Sequence, residues 1–282
     1  MPRPVTIRCG DVGVDARASV PPPSSSFDEQ ALLYDERAGL PAAAGVDVAR
    51  AIVAGAGVRP GGVVIELGAG TGEIGAYLSS LPVRYVGLDS SQAMLDVFRA
   101  KGTLASPSLI VADCNQPWPL PDGSAAVIVA SRVIHLLDPE LVTRETVRVC
   151  RPGGSLILGR VLREPDSIKE RLRRRRQELL VQAGISPRQG EQGARRVVER
   201  CQAAGGTSLG RRIVAEWTGE TTPAQVIAGW ETSSRMGSVT VDPTTRADIL
   251  EELRRWGRAE FGDLARPETF RERYAIDIVQ LP

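Results

Sequence analysis

Val64-Ile65-Glu66-Leu67 runs straight into Gly68-Ala69-Gly70-Thr71-Gly72, and this junction is where residue types and spacing first suggest chemistry in the 282-residue chain. Glycines at alternate positions after a strand let the backbone turn sharply and approach a ligand more closely than any Cβ would permit. In an open α/β sheet such a turn lies at the carboxyl edge of the strands, where ligands bind. Asp89 ends the next apolar run, 17 positions after Gly72, and a carboxylate there can accept both hydroxyls of a ribose. Gly70-Thr71-Gly72-Glu73-Ile74-Gly75 also fits G-x-G-x-x-G, the dinucleotide fingerprint, which alone is a weak pattern. A dinucleotide would rest its pyrophosphate on the N-terminus of the following helix, and a negative side chain there repels it. Glu73 lies in that first turn, and Glu66 is expected to point from the strand end into the same crevice. Two carboxylates suit a sulfonium and an amino group better than a diphosphate.

Other candidates are few. His135 is the only histidine; it follows Ala130-Ser131-Arg132-Val133-Ile134 at the end of another apolar run. Imidazole titrates near neutrality, so His135 is either a general base for a hydroxyl or a packed structural residue. Arg132 either binds an acidic group of a substrate or closes the pocket. Cys9, Cys114, Cys150 and Cys201 form no C-x-x-C pair, so no zinc or iron site and no metal is expected. Scattered cysteines suit a reducing cytosol, and a cytoplasmic location is expected. A formal net charge of +1 argues against nucleic acid and membrane surfaces as partners. Neither a run of 18 apolar residues nor an apolar segment behind the N-terminal basic residue is found, so neither a membrane span nor a secretory signal is expected.

The elements around these residues alternate. Residues 63–67, 84–88, 109–112, 126–130 and 155–161 read as strands, β-branched and apolar on both faces as buried parallel strands are. Residues 73–78, 91–101 and 141–150 read as helices between them, and 28–54 as a helical segment interrupted near Gly39 and Pro41. The alternation implies βαβ units and a right-handed doubly wound sheet. After Pro165 come charged or mixed helices over 168–183, 194–204, 223–233 and 246–261, a strand at 213–217, and an alternating strand at 273–280. The domain expectation is a flexible arm over 1–26, a core over 27–164, a helical lid and substrate region over 165–270 that includes the sixth strand, and a closing strand over 271–282.

With these motifs in register, residues 27–161 resemble the class I S-adenosylmethionine-dependent methyltransferases, specifically the small-molecule branch that includes ubiquinone and menaquinone biosynthesis enzymes. Glu66-Leu67-Gly68-Ala69-Gly70-Thr71-Gly72 resembles the family's first motif, which wraps the amino-acid part of the cofactor. Val86-Gly87-Leu88-Asp89-Ser90-Ser91-Gln92-Ala93-Met94-Leu95 is similar to the second, whose acid holds the ribose and whose Met position packs on the adenine. Val111-Ala112-Asp113-Cys114 resembles the third, where Asp accepts a hydrogen bond from the adenine amino group. Arg151-Pro152-Gly153-Gly154-Ser155-Leu156 resembles the turn before the fifth strand, and residues 28–41, with Tyr34-Asp35-Glu36-Arg37, resemble the family's N-terminal lid. The resemblance implies a Rossmann-like, seven-stranded, mostly parallel sheet whose last strand is antiparallel.

It further implies S-adenosylmethionine as cofactor, S-adenosylhomocysteine as product and methyl transfer to an oxygen, or less readily a nitrogen or carbon, of a small biosynthetic molecule. The implied cofactor residues are Tyr34, Glu66, Gly68, Ala69, Gly70, Gly72, Asp89, Ser90, Met94, Asp113, Cys114 and Ser131. Arg132, His135, Trp230 and Met236 are the substrate candidates, with His135 as the base. Relatives that methylate DNA bases or glutamine carry Asn/Asp-Pro-Pro-Tyr/Phe where this chain has Ser131-Arg132-Val133-Ile134. Two other readings stay open: a cofactor-binding fold relative with non-methylating chemistry, and a non-catalytic binding protein using the arginine-rich residues 169–176. The acceptor and the oligomeric state are not legible.

Overall fold

The computed structural model describes residue 31 and residues 40–102, 107–186, 190–231, 235–236 and 239–282. The expected arm over 1–26, and Tyr34 with most of the expected N-terminal lid, lie outside the described residues. Elements run in the order α1 (Ala42–Gly55), β1 (Val63–Leu67), α2 (Gly75–Leu78), β2 (Arg84–Asp89), α3 (Gln92–Ala100), β3 (Ser108–Val111) and β4 (Ala125–Ser131). A 3-10 turn (Ile134–Leu136), α4 (Pro139–Val149), β5 (Cys150–Arg163), α5 (Ile168–Gln182), α6 (Gly190–Ala203) and β6 (Thr207–Thr221) follow. The chain closes with α7 (Pro223–Glu231), β7 (Arg235–Met236), β8 (Val239–Thr240), α8 (Pro243–Phe261) and β9 (Glu268–Gln280).

Seven strands form one sheet in the order β3-β2-β1-β4-β5-β9-β6, and the pairings from β3 through β5 are parallel. All five residues of β1 are buried, which explains the unbroken apolar run: both faces of a central parallel strand are covered. From β1 the chain winds outward to β3, then crosses back to β4 on β1's other side. Ligands bind at such a reversal of strand order, so the loops after β1 and β4 flank the binding crevice. Registers of Leu67 with Leu88 and with Ala130 bring the ends of β1, β2 and β4 level.

Local capping explains where the helices start. Ser91 Oγ accepts the Met94 amide at 3.1 Å, and Asp138 Oδ1 accepts the Glu140 and Leu141 amides at 2.8 and 3.0 Å. Pro139 and Pro243 occupy first-turn positions where no amide is required.

The chain divides into two compact units, the first holding the described residues up to Arg160 with Gly190–Val214 and Ala275–Pro282, the second holding Val161–Gln189 and Ala215–Tyr274. This differs from a lid running unbroken over 165–270. Ala194, Val197 and Cys201 of α6 are buried in the same apolar cluster as Ile65, Leu88, Ile128 and Leu156, so α6 is one of the first unit's helices. In the second unit Leu172 and Leu180 of α5 pack with Ile227, Ile249 and Leu253. β6 is longer than the expected 213–217 because its first seven residues are exposed and carry no apolar period to read. β5 starts early, at Cys150; the Arg-Pro-Gly-Gly turn lies inside it as a register shift opposite Ala125 and Val127. Among the described residues no helix is long and apolar enough to cross a membrane.

Candidate cofactor and active site

The turn after β1 is left-handed at three glycines, with φ of 65° at Gly68, 54° at Gly70 and 80° at Gly72. They serve different ends. A Cβ at Gly72 would lie 2.3 Å from Phe98 Cδ2, so this glycine is demanded by packing against α3. A Cβ at Gly70 would meet nothing closer than the Gly68 carbonyl at 3.9 Å, so its face opens on space that a ligand can use. The Gly70 amide donates to Asp89 Oδ2 at 2.8 Å, and the Ser91 amide donates to Asp89 Oδ1 at 2.8 Å. Asp89 thus clasps the turn after β1 to the head of α3, and the Ala69 amide adds a 2.9 Å bond to the Leu88 carbonyl.

Glu66 sits deeper than the sequence suggests. It is buried at 3% exposure and accepts the Tyr85 hydroxyl at 2.5 Å through Oε2. Burial pushes its carboxyl up to about 8; Glu73 and Asp89 add to the shift, while the Tyr85 hydrogen bond and Arg132 oppose it. Burial, with Glu66 beside it, also holds the Tyr85 hydroxyl well above its ordinary value. Room for the Tyr85 ring comes from Gly75, where a Cβ would fall 2.3 Å from the hydroxyl. Tyr85 was not legible as a site residue; the one available hint is the pair of glycines, Gly75 and Gly87, flanking it.

The loop after β4 meets this turn. Val133 packs on Gly68, where a Cβ would come within 2.5 Å of Val133 Cγ2. The Arg132 guanidinium pairs with Glu73, and its backbone has φ of 54°, the only left-handed non-glycine among the described residues. The Arg132–Glu73 pair spans from the loop after β4 to the turn after β1. A non-glycine residue in this region costs of order 1 kcal/mol or more, and such strain concentrates at functional loops. His135 is half-buried in the 3-10 turn. That turn is held by Asn115, whose Nδ2 donates to the Leu136 carbonyl at 3.1 Å and whose Oδ1 accepts the Asp138 amide at 2.8 Å. Asn115 is a second residue the sequence did not disclose, because its partners lie 21 and 23 positions away.

The remaining candidates fall into two groups. Asp113, at the edge beside β3, accepts the Asn115 amide at 2.8 Å and so builds the loop that holds the His135 turn. Cys114 is buried, its carbonyl accepting Trp118 Nε1 at 3.2 Å; burial pushes its thiol up to about 12 against a hydrogen bond from the Gly68 amide. Ser90 and Ser131 are half-buried at the ends of β2 and β4. Met94, expected against the adenine, is 2% exposed and packed into the interior on the first turn of α3. Trp230 and Met236 belong to the second unit's own apolar cluster, Met236 being fully buried there. The structure therefore brings Glu66, the glycines, Asp89, Arg132 and His135 to the ends of β1, β2 and β4, while Trp230 and Met236 lie in the second unit. Among the described residues no group of His, Cys, Asp and Glu is arranged to hold a metal ion.

Comparison with known proteins follows the same segment. Residues 65–158 match a family model described as a methyltransferase domain. An uncharacterized methyltransferase of Mycobacterium bovis is 35% identical over 94 residues, 33% of this chain and 37% of that protein. A demethylmenaquinone methyltransferase of Beutenbergia cavernae is 35% identical over 111 residues, 39% of this chain and 45% of that protein. The matches thus span less than half the length of these curated relatives. Among solved structures, the [4+2]-cyclase SpnF superposes with a TM-score of 0.55 over 94% of this chain and 99% of that one, at 16% identity, a likeness of fold. Sheet order, glycine turn and matched segment agree: the similarity to methyltransferase domains falls on residues 65–158, the part of the chain that builds this strand edge.

Proposed function

We propose that the protein transfers the methyl group of S-adenosylmethionine to an oxygen of a small molecule and releases S-adenosylhomocysteine. The observation that carries this reading is the Asp89 clasp beside the open face of Gly70. Asp89 accepts the Gly70 and Ser91 amides and stands at the end of β2 beside the open face of Gly70, where a carboxylate suits the paired hydroxyls of a ribose. Asp89 is negative at this edge, and Glu66, protonated while buried alone, can ionise beside a sulfonium or ammonium group, so the crevice suits a cationic cofactor better than a diphosphate.

The cofactor, once bound, supplies an already activated methyl group on a positively charged sulfur. What remains for the chain is alignment and exclusion of water, which together can account for much of the barrier. Gly68, Gly70 and the Asp89 clasp fix the donor's position. The Arg132–Glu73 pair covers the turn from the β4 side. His135, on the turn braced by Asn115, takes the proton from the attacking hydroxyl. Ser131-Arg132-Val133-Ile134 in place of the Pro-Pro aromatic loop of base- and glutamine-methylating enzymes argues against N-methylation of a base or glutamine.

The test is product analysis. Protein incubated with methyl-labelled S-adenosylmethionine and a fractionated small-molecule extract is expected to yield a product heavier by one methylene, labelled on oxygen. In His135→Ala, turnover is expected to fall by about 100-fold or more with cofactor affinity unchanged. Full turnover in that variant removes His135 as the base; a labelled cofactor that binds but never donates its methyl group removes methyl transfer.

A further inference from the structure

Helix α5 carries a run of arginines, and most are answered locally. Arg171 pairs with Glu260, Arg173 with Glu170 and Arg175 with Glu178, while Arg174 donates to the Pro165 carbonyl at 2.6 Å. Arg176 is different. Its side chain turns into the second unit, where the residue is 9% exposed and its Nε is buried with no hydrogen-bond partner. Its guanidinium carbon lies 4.3 Å from the centre of the Trp230 ring, and among the described residues no carboxylate forms an ion pair with it.

The surrounding charges sharpen the imbalance. Arg173 and Arg163 face Arg176 with the same sign, and the opposing Glu170 is already engaged by Arg173 through Nε at 2.8 Å. Arg163 and Lys169 share Glu272, at 2.7 and 3.1 Å. Four cations (Arg163, Lys169, Arg173, Arg176) thus divide two carboxylates (Glu170, Glu272) among them. A buried charge without a counter-ion is costly, and a cation–π contact returns only part of that cost. Burial accordingly pushes Arg176 down to about 10. A guanidinium stays protonated at neutral pH, and among the described residues none supplies the missing counter-charge, which suits the site to an anionic ligand.

We propose that Arg176, stacked on Trp230 and flanked by Arg163 and Arg173, anchors an oxyanion site in the second unit that takes the carboxylate or phosphate group of a small anionic ligand. The planar guanidinium fork suits either group, and Arg163 and Arg173, each partly exposed, supply the outer donors. The anion site does not depend on the methyl-transfer reading.

Calorimetric titration of the full chain with inorganic phosphate and with benzoate, sodium chloride balancing ionic strength, tests it. The wild type is expected to bind at least one of them saturably, and the preferred anion tells whether the group is a phosphate or a carboxylate. Arg176→Met, which keeps the length but loses the charge, is expected to weaken that binding by about tenfold or more, with Arg176→Lys intermediate because it keeps the charge without the fork. Affinity for S-adenosylhomocysteine in the same variants is expected to be unchanged. If Arg176→Met does not fold, Arg173→Gln at the exposed flank is expected to weaken the anion severalfold. No saturable anion binding by the wild type, or equal binding by the variants, overturns the proposal. Loss of S-adenosylhomocysteine binding alone would instead sink the methyl-transfer reading and leave the anion site standing.

Discussion

At the scale of single residues, Glu66 carries the most consequential chemistry. Its unfolded value is 4.5 and its folded value about 8, raised first by burial. Between those values the native state keeps a proton that the unfolded chain has lost, so stability contributed by this site is full at low pH and declines as pH climbs towards 8. Urea midpoints measured from about pH 5 to about pH 8 are expected to fall more steeply for the wild type than for Glu66→Gln. Equal slopes would show that Glu66 ionises freely in the fold. A cation bound beside it favours the ionised form, so affinity for S-adenosylmethionine should rise across the same window. The position of Glu66 at the strand end before the glycines was legible in the sequence. Its partner was not: Tyr85 lies 19 positions away in the neighbouring strand, and only the register of β1 with β2 brings them together.

At the scale of elements, the segment from β4 into α4 shows how local sequence positions a side chain. Asp138 caps α4 through two amides, which hold its carboxyl below the usual range, and its own amide is fixed by Asn115. These bonds set the orientation of the turn that carries His135. Asp138→Ala is expected to cost about 1 kcal/mol in stability, the ordinary worth of an N-cap, and to lower turnover while leaving cofactor affinity intact. Chemical denaturation and a methyl-transfer assay check the two halves; unaltered turnover would disconnect the turn's geometry from the reaction. The Asp-Pro-Glu start of α4 is readable locally, as are the buried central strands. β6 was readable only in part, because an exposed edge strand has no apolar alternation to mark it. α6 was readable as a helix but not as a core helix, since Ala194, Val197 and Cys201 are buried in an apolar cluster with strands distant in sequence, which no local pattern encodes.

At the scale of the molecule, sheet order and electrostatics fit together. The first unit is completed by residues far from its opening strands. Arg160 on β5 bonds Glu191 on α6 at 2.5 Å and also pairs with Asp277 on β9; Arg211 on β6 bonds the same two acids at 2.9 Å each. Those four elements, separated by up to 117 positions, are tied by charge as well as by the sheet. The alternating strands and helices made the doubly wound class legible from sequence, whereas the division of residues 165–270 between two units depends on long-range packing that single-sequence periodicity does not report. The functional reading depends on the sheet's reversal at β1, which delivers the glycine turn and Asp89 to one edge. Isothermal calorimetry on the purified protein tests it most directly. Saturable heat with S-adenosylmethionine and S-adenosylhomocysteine is expected, weakened by about tenfold or more in Asp89→Ala, with none from NAD(H). Heat with NAD(H) and none with either sulfur compound would contradict it.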